Sequence, residues 1–274
     1  MKLALNGATT MRASLVEDIE AASAAGFDCL EIWAAKLRKF FNYGGTTAEL
    51  KRLLEESRLA PYSINSIERV TFRDREGRAK LFAECEELCR VASEIGCPYV
   101  VVVPSPLPAG MGPEAVVEES VQTLRELAGI AERHGVGLAF EFLGQTGCSV
   151  QTLAAADEIV RRVGRASVGL VIDSFHFYAG GSKVSSIEAL DPARLFIFHI
   201  NDAEDLPRER LEDRHRLLPG LGILPLGEIV AALRRIGYDK VASVEIFRPE
   251  YWERDPRQLA RDAKAAVEGV LQAG

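Results

Sequence analysis

Residues 167–175 read SVGLVIDSF, a near-continuous apolar run with a carboxylate close to its end. Apolar residues at consecutive positions suit a strand whose two faces are both covered, as in a parallel sheet flanked by helices. The pattern recurs on either side. LFIFHIN (195–201) and VASVEIF (241–247) follow it. KLALN (2–6), DCLEIW (28–33), APYSIN (60–65), PYVVVV (98–103) and VGLAFEF (136–142) precede it. Between these runs lie amphipathic stretches, among them SLVEDIEAASAAG (14–26), EGRAKLFAECEELCRVASEIG (76–96) and VVEESVQTLRELAGIAERHG (116–135). Each has early acids, apolar residues at three- and four-residue spacing, and a final glycine that stops a helix. Eight strands alternating with helices predict an α/β fold, a single (β/α)8 TIM barrel. An open doubly wound sheet would want a glycine-rich phosphate loop after its first strand, and LNGATT (5–10) is not one.

The bulk properties agree with one domain over 1–274. A chain of 274 residues with 47% hydrophobic content is the usual size for one α/β barrel. No Gly/Ser/Pro-rich linker or shift in composition divides it. The longest irregular stretch, 202–224, reads DAEDLPRERLEDRHRLLPGLGIL, and loops of that length in compact folds are more often functional than idle. A formal charge of −7 argues against nucleic acid or an anionic membrane surface as partner. No apolar run approaches 18 residues, so no membrane-spanning helix is expected. The opening MKLALNGATT lacks the length and cleavage context of a secretory signal and reads as a first strand. Five cysteines (Cys29, Cys85, Cys89, Cys97 and Cys148) are odd in number and sparse. That usage suits reduced thiols in a cytoplasmic protein rather than a disulfide framework, and no CxxC occurs.

The chain holds 40 Asp and Glu, and most belong on solvated helix faces. Glu31, Glu141, Asp173 and Glu245 do not. They sit within or at the ends of apolar strands, where a charge is costly unless paired or bound to a metal. His199 holds the equivalent place in LFIFHIN. Strand C-termini of a barrel open onto the face where active sites are built. Glu141 to Asp173 is 32 residues, Asp173 to His199 is 26, and His199 to Glu245 is 46. A barrel unit averages about 31 residues, so each step is one βα unit, the last lengthened by the 202–224 loop. Residues one unit apart at the same depth converge on one axis. Glu141, Asp173, His199 and Glu245 then offer three carboxylates and an imidazole to one divalent ion of intermediate hardness, Mn²⁺, Zn²⁺, Co²⁺ or Mg²⁺. Taken singly, each acid is equally well explained as an acceptor for a helix N-terminus. Four at unit spacing favour the metal.

The remaining candidates divide. His176, three residues after Asp173 in DSFH, is placed to meet a substrate oxygen. Arg216, before a Pro-Gly turn, either anchors a substrate hydroxyl or caps its loop. His134 ends a helix, where a bond to the last carbonyls explains it. Trp33, Phe142 and Phe175 at strand ends either wall the pocket or fill the core. Cys148 has no histidine motif beside it and reads as an inert thiol.

These residues lie in motifs that resemble the xylose-isomerase-like barrel superfamily of sugar isomerases and epimerases. The likeness covers essentially the whole chain. It runs from MKLALNGATT through YVVVVP, AFEFLG, VGLVIDSFHFYAGGS, FIFHINDAEDLP and HRLLPGLG to VEIFRPEYW. The combination of DSFHF, HIND and VEIFRPEY is far more specific than any one of them. Within the superfamily the sequence is most similar to the inosose isomerase branch. The resemblance implies that Glu141, Asp173, His199 and Glu245 hold the metal and that Glu141 and Glu245 form the acid/base pair. It makes His176 a catalytic-site contact that orients hydroxyls or shuttles protons, and Arg216 a substrate contact. Asn6, at the end of the first strand, and Trp33 are also expected beside the substrate. Two departures stand out. Pro225 occupies a place where the family often has an acid, which bears on how the next helix starts. Gly7 replaces a glutamate of close relatives, at a position expected to face the pocket.

The implied reaction moves a carbonyl between adjacent carbons of a keto-inositol through an enediolate, interconverting 2-keto-myo-inositol and 1-keto-D-chiro-inositol. Ketose 3-epimerisation or dehydration of a keto-inositol on the same ligands are the nearest alternatives. A phosphodiesterase like the DNA-repair endonucleases of this barrel would need more than four histidines and a basic face. A non-catalytic sugar-binding protein would not need the two glutamates. Phosphate-gripping barrels use the loops after strands seven and eight. Here those loops read HINDAEDLP and FRPEYW, with Arg248 the lone basic candidate. The expected partner is therefore an unphosphorylated polyol or sugar, and the sequence is compatible with a homo-oligomer.

Overall fold

The computed structural model describes residues 1–273. Its strands are β1 (Lys2–Asn6), β2 (Cys29–Trp33), β3 (Ala60–Ile67), β4 (Tyr99–Val102), β5 (Gly137–Glu141), β6 (Val168–Asp173), β7 (Leu195–Ile200), β8 (Asp202–Ala203), β9 (Arg216–Leu217) and β10 (Val241–Val244). All but β8 and β9 close into a parallel barrel in the order β1-β10-β7-β6-β5-β4-β3-β2. The predicted (β/α)8 architecture is the one observed.

The helices are α1 (Leu15–Ala25), α2 (Ala34–Asn42), α3 (Thr47–Glu56), α4 (Arg75–Ile95), α5 (Pro113–Arg133) and α6 (Leu153–Val163). They continue with α7 (Ser174–Ala179), α8 (Val184–Glu188), α9 (Leu226–Arg235), α10 (Pro249–Trp252) and α11 (Pro256–Ala273). Local sequence explains their ends. Ser14 and Glu17 form a capping box at α1, and Gly26 stops it in the left-handed conformation at φ 78°. Such a box satisfies two orphan N–H groups, and an N-cap of this type contributes about 1 kcal/mol. At α4, Asp74 caps the start by accepting from Gly77 N, without a box, and Gly96 ends the helix at φ 76°. At α9, Pro225 stands at the N-cap and no side chain caps the helix, as its sequence implied.

Two predicted strands stop two or more residues short. SVGLVIDSF ends as a strand at Asp173, because that side chain accepts the His176 N–H at 2.8 Å and caps α7. VASVEIF ends at Val244, leaving Glu245 just beyond the barrel rim. The 202–224 stretch is less irregular than expected. β8 and β9 pair within it, and the Asp202 carboxylate accepts the N–H groups of Ala203 (2.9 Å), Gly220 (3.0 Å) and Leu224 (2.9 Å).

Side chains alternate across each strand. The outward set packs under the helices as the large core, whereas Ala4, Cys29, Val101, Ala139, Val171, Ile197 and Val241 form a separate cluster within the barrel. Tyr99 stacks on Phe196 at 4.5 Å and meets Tyr62 at 5.6 Å beside that cluster. Gly169 makes room for the plug, since a Cβ there would lie 2.7 Å from the Phe196 ring. Two residues further along their strands than Cys29, Ala139, Val171 and Ile197 come Glu31, Glu141, Asp173 and His199. The same alternation that fills the barrel therefore stacks the charged side chains in the next layer up.

Candidate metal centre and active site

Glu141, Asp173, His199 and Glu245 are all buried, and one potential ligand atom from each lies within 4.8 Å of the others. The His199 Nδ1 is 2.9 Å from a Glu141 oxygen, 3.4 Å from Glu245 and 4.0 Å from Asp173. Ligand atoms around a tetrahedral ion with bonds of about 2.1 Å sit roughly 3.4 Å apart, so these spacings straddle what a small cation needs. Three carboxylate oxygens and one imidazole nitrogen also suit a divalent ion by charge and hardness. The residues fit.

Asp173 and Glu245 are held from outside the cluster. Asp173 Oδ2 accepts from Asn201 Nδ2 at 2.8 Å and Arg216 Nη1 at 2.7 Å. Glu245 Oε1 accepts from Asn65 Nδ2 at 2.8 Å and Asn6 Nδ2 at 3.1 Å, and its Oε2 meets Arg216 Nη1 at 3.1 Å. Burial pushes the Glu245 carboxyl well above the ordinary range despite His199 nearby. Asp173 goes the other way: burial opposes its charge, but Arg216, His176 and His199 outweigh that and hold it at about 2. For His199, burial disfavours the imidazolium, yet Glu245, Glu31 and Glu141 raise its pKa well above the usual histidine value.

Arg216 is the largest fully buried side chain. Its guanidinium lies 4.8 Å from the Phe175 ring centre and 5.1 Å from that of Phe247, and pairs with Asp213 at 2.9 Å. Arg216 Nη2 also lies 3.0 Å from His176 Nε2. A guanidinium only donates, so Nε2 is the acceptor and a neutral His176 carries its proton on Nδ1. Burial keeps His176 neutral by lowering its pKa. That Nδ1 is a buried side-chain nitrogen with no partner among the described residues.

A cavity of about 560 Å³ opens above this layer, lined by Glu141, Glu245, His176 and Arg216 with Trp33 and Phe247 along one side. Trp33 and Phe247 meet edge to face at 5.5 Å. Residues 19–269 match the family described as xylose isomerase-like TIM barrel. The chain belongs to that family. Among its relatives, the inosose isomerase of Bacillus velezensis is 36% identical over 99% of this chain and 97% of its own length. The inosose isomerase of Bacillus subtilis is 35% identical over 99% and 98%. A crystal structure of IolI protein with a bound zinc atom superposes with a TM-score of 0.96 at 36% identity, covering 99% of this chain and 98% of that one.

Within this xylose isomerase-like barrel, several candidates sit elsewhere than the sequence suggested. Asn6 is fully buried beneath Glu245, its amide donating to that carboxylate and its oxygen accepting from Ala8 N, so it supports the cluster and does not wall the cavity. Phe142 and Phe175 are core residues, and Phe247 takes the wall position beside Trp33. Gly7 does not face the cavity: a Cβ there would point at Asp18 Oδ2 (3.0 Å) and Trp33 Cβ (3.1 Å). Arg248 pairs with Glu204 at 2.7 Å. His134 bonds Glu86 at 2.7 Å, and His215 accepts from Glu212 N within its own turn. Cys148 borders the cavity, and burial raises its thiol pKa.

The sequence reading missed Asn65, Asn201, Ser63, Ser243 and Asp213, and left Glu31 without a role. Asn65 and Ser63 lie in APYSIN and Ser243 in VASVEIF. Polar residues at alternate positions of otherwise apolar strands were the available signal, since they must face a polar interior.

Proposed function

We propose that this chain is a metal-dependent inosose isomerase, with residues 1–274 acting as one catalytic domain on an unphosphorylated keto-inositol. The observation that carries the proposal is the convergence of Glu141, Asp173, His199 and Glu245 to within 4.8 Å of one another under a cavity walled by an aromatic pair. Full-length likeness to inosose isomerases, and to an IolI structure holding zinc, supports both the reaction class and the ion. Arg248, the basic residue of the loop after β10, is paired with Glu204, which favours an uncharged ring.

Glu141, Asp173, His199 and Glu245 would hold the ion, which supplies Lewis acidity toward the ketone oxygen and a fixed point for the neighbouring hydroxyl. Glu141 and Glu245 both reach the cavity floor. One takes the proton from the hydroxyl-bearing carbon, and the other returns a proton to the former ketone carbon. The hydroxyl proton passes to the former ketone oxygen, so the carbonyl moves by one position and no redox partner is needed. Asn6 and Asn65 keep Glu245 in place for this exchange. His176 Nδ1–H, the unpartnered donor, binds a substrate oxygen, and Arg216 fixes His176 in that tautomer. Trp33 and Phe247 cover a ring face and exclude water. The protein works as a cytoplasmic catabolic enzyme in this reading.

Incubating zinc- or manganese-loaded protein with 2-keto-myo-inositol in deuterated water tests it by NMR. Deuterium at the carbon next to the ketone, with a second keto-inositol appearing, is the expected result. Loss of water to a diketone would assign a dehydratase, and exchange confined to a linear ketose would assign an epimerase.

A further inference from the structure

Glu31 stands apart from the four candidate ligands, yet it is 1% exposed and spans the barrel interior. Its Oε1 accepts from Ser63 Oγ on β3 at 2.6 Å, and its Oε2 accepts from Ser243 Oγ on β10 at 2.7 Å. Both oxygens also lie against His199 Nε2 on β7, at 3.1 and 3.0 Å. A carboxylate on β2 thus joins three other strands, its neighbour β3 and, beyond β1, the non-adjacent β10 and β7. Ordinary strand tethering does not need it. Two serine hydroxyls can be satisfied by neutral acceptors, whereas a buried carboxylate is costly unless it serves a strong donor.

We propose that Glu31 is the positioning residue of the metal centre: it holds a proton of His199 on Nε2, so that Nδ1, which faces Glu141, Asp173 and Glu245, is the nitrogen that yields its proton to ligate an ion. The proposal rests on the metal-dependent reading above and adds to it the group that fixes the ligand's tautomer and ring orientation. A neutral imidazole has one N–H and one lone pair, and the partner of one nitrogen decides what the other can do. A carboxylate on the rear nitrogen also makes the imidazole a better donor to an ion, and loss of such partners weakens metal binding roughly 10- to 100-fold in comparable sites. Ser63 and Ser243 clamp Glu31 itself, one to each oxygen, so that its plane cannot turn away from the ring.

The test measures zinc affinity by competition with a chelating chromophore, and the His199 tautomer by ¹⁵N-histidine NMR, in wild type, Glu31→Gln and Ser243→Ala. In the zinc-loaded wild type the ring proton belongs on Nε2. Glu31→Gln keeps an acceptor without the charge and should bind zinc roughly 10- to 100-fold more weakly. Ser243→Ala keeps the carboxylate with one tether removed and should fall in between, which serves if Glu31→Gln does not fold. Cobalt-loaded variants should also show an altered visible spectrum, which a purely structural role for Glu31 would leave unchanged. Equal zinc affinity in wild type and both variants, or a ring proton on Nδ1 in the loaded wild type, overturns the proposal while leaving the metal site standing. A wild type that takes up no ion removes the reading beneath it, and this proposal with it.

Discussion

Glu141 and Glu245 approach the same His199 nitrogen from two strands, at 2.9 and 3.4 Å, and both border the cavity. Either can be made neutral without changing its shape. Glu141→Gln and Glu245→Gln should each lower the rate of deuterium exchange into a keto-inositol by roughly 10²- to 10⁴-fold, the usual contribution of a general acid or base. Exchange at the wild-type rate in either variant removes that residue from the proposed acid/base pair. Asn65→Ala offers a milder probe. It deletes the shorter of two amide bonds to Glu245 Oε1 and should reduce kcat by about tenfold, with KM less affected. A change in KM alone would place Asn65 at the substrate instead of behind the glutamate. The four candidate ligands were legible because buried charge is rare in apolar strands and their spacing matched the barrel repeat. Asn6 was misplaced for the opposite reason. A neutral amide at a strand end carries no such penalty, and nothing in the sequence says whether it faces a cavity or a neighbouring carboxylate.

At the scale of elements, the alternation of apolar strands and glycine-stopped helices fixes the barrel. The connections between them were less readable. Two helices, α2 and α3, lie between β2 and β3 where a single crossover would suffice. Their polar faces dilute the periodic signal that marked α1, α4 and α5. One reason α2 sits where it does is a buried ion pair. Lys36 Nζ donates to Asp18 Oδ2 on α1 at 2.7 Å and to the Thr10 carbonyl at 2.7 Å, and Thr10 Oγ1 donates to Asp18 at 2.6 Å. Gly7 leaves space for this group beside the end of β1. Burial raises the Asp18 carboxyl to about 7 even with Lys36 alongside, so the pair is charged at pH 8. Removing one partner of a buried pair strands the other. Asp18→Asn should therefore lower stability by about 3–5 kcal/mol at pH 8, measured by urea unfolding, and by more at pH 6, because the wild-type carboxyl adds stability as pH falls below about 7 and asparagine does not titrate. Asp18→Asn combined with Lys36→Met should recover most of that loss. A single variant as stable as wild type at pH 8 would mean the pair does not hold α1 to α2. The β5 loop provides a second test. A Cβ on Gly144 would meet the His176 carbonyl at 2.1 Å. Gly144→Ala must shift α7, and it should impair turnover more than folding, with the His176 ring displaced from Arg216.

Across the whole molecule, the barrel concentrates anions at one end of its axis, and the balance of protons there sets how stability responds to pH. Three buried groups retain protons in the folded state that the unfolded chain gives up. Burial raises Asp18 from 3.8 to about 7 and lifts Glu245 well above 4.5, while the carboxylates around His199 overcome its burial and lift it well above 6.5. Each contributes stability at low pH that is lost as pH rises toward its folded value. Asp173, held at about 2, has the opposite sign, but its contribution is complete by pH 5 and does not change above it; His176, whose pKa burial lowers, also has the opposite sign and offsets one of the three as pH rises toward 6.5. Between pH 5 and 8 the metal-free protein should therefore lose stability, on the order of 1 kcal/mol per pH unit for each proton retained. Zinc reverses the trend. Its binding needs the Nδ1 lone pair and displaces the proton held there, so affinity rises with pH. Ligand at a hundredfold its Kd adds about 2.7 kcal/mol, and the gap between zinc-loaded and metal-free protein should widen steadily from pH 5 to 8. Chemical unfolding with EDTA and with excess zinc at each pH measures both curves. A metal-free curve that stays flat or climbs over this range would show that the carboxylates are not crowded around one imidazole, and the cluster on which the site depends would not exist in solution.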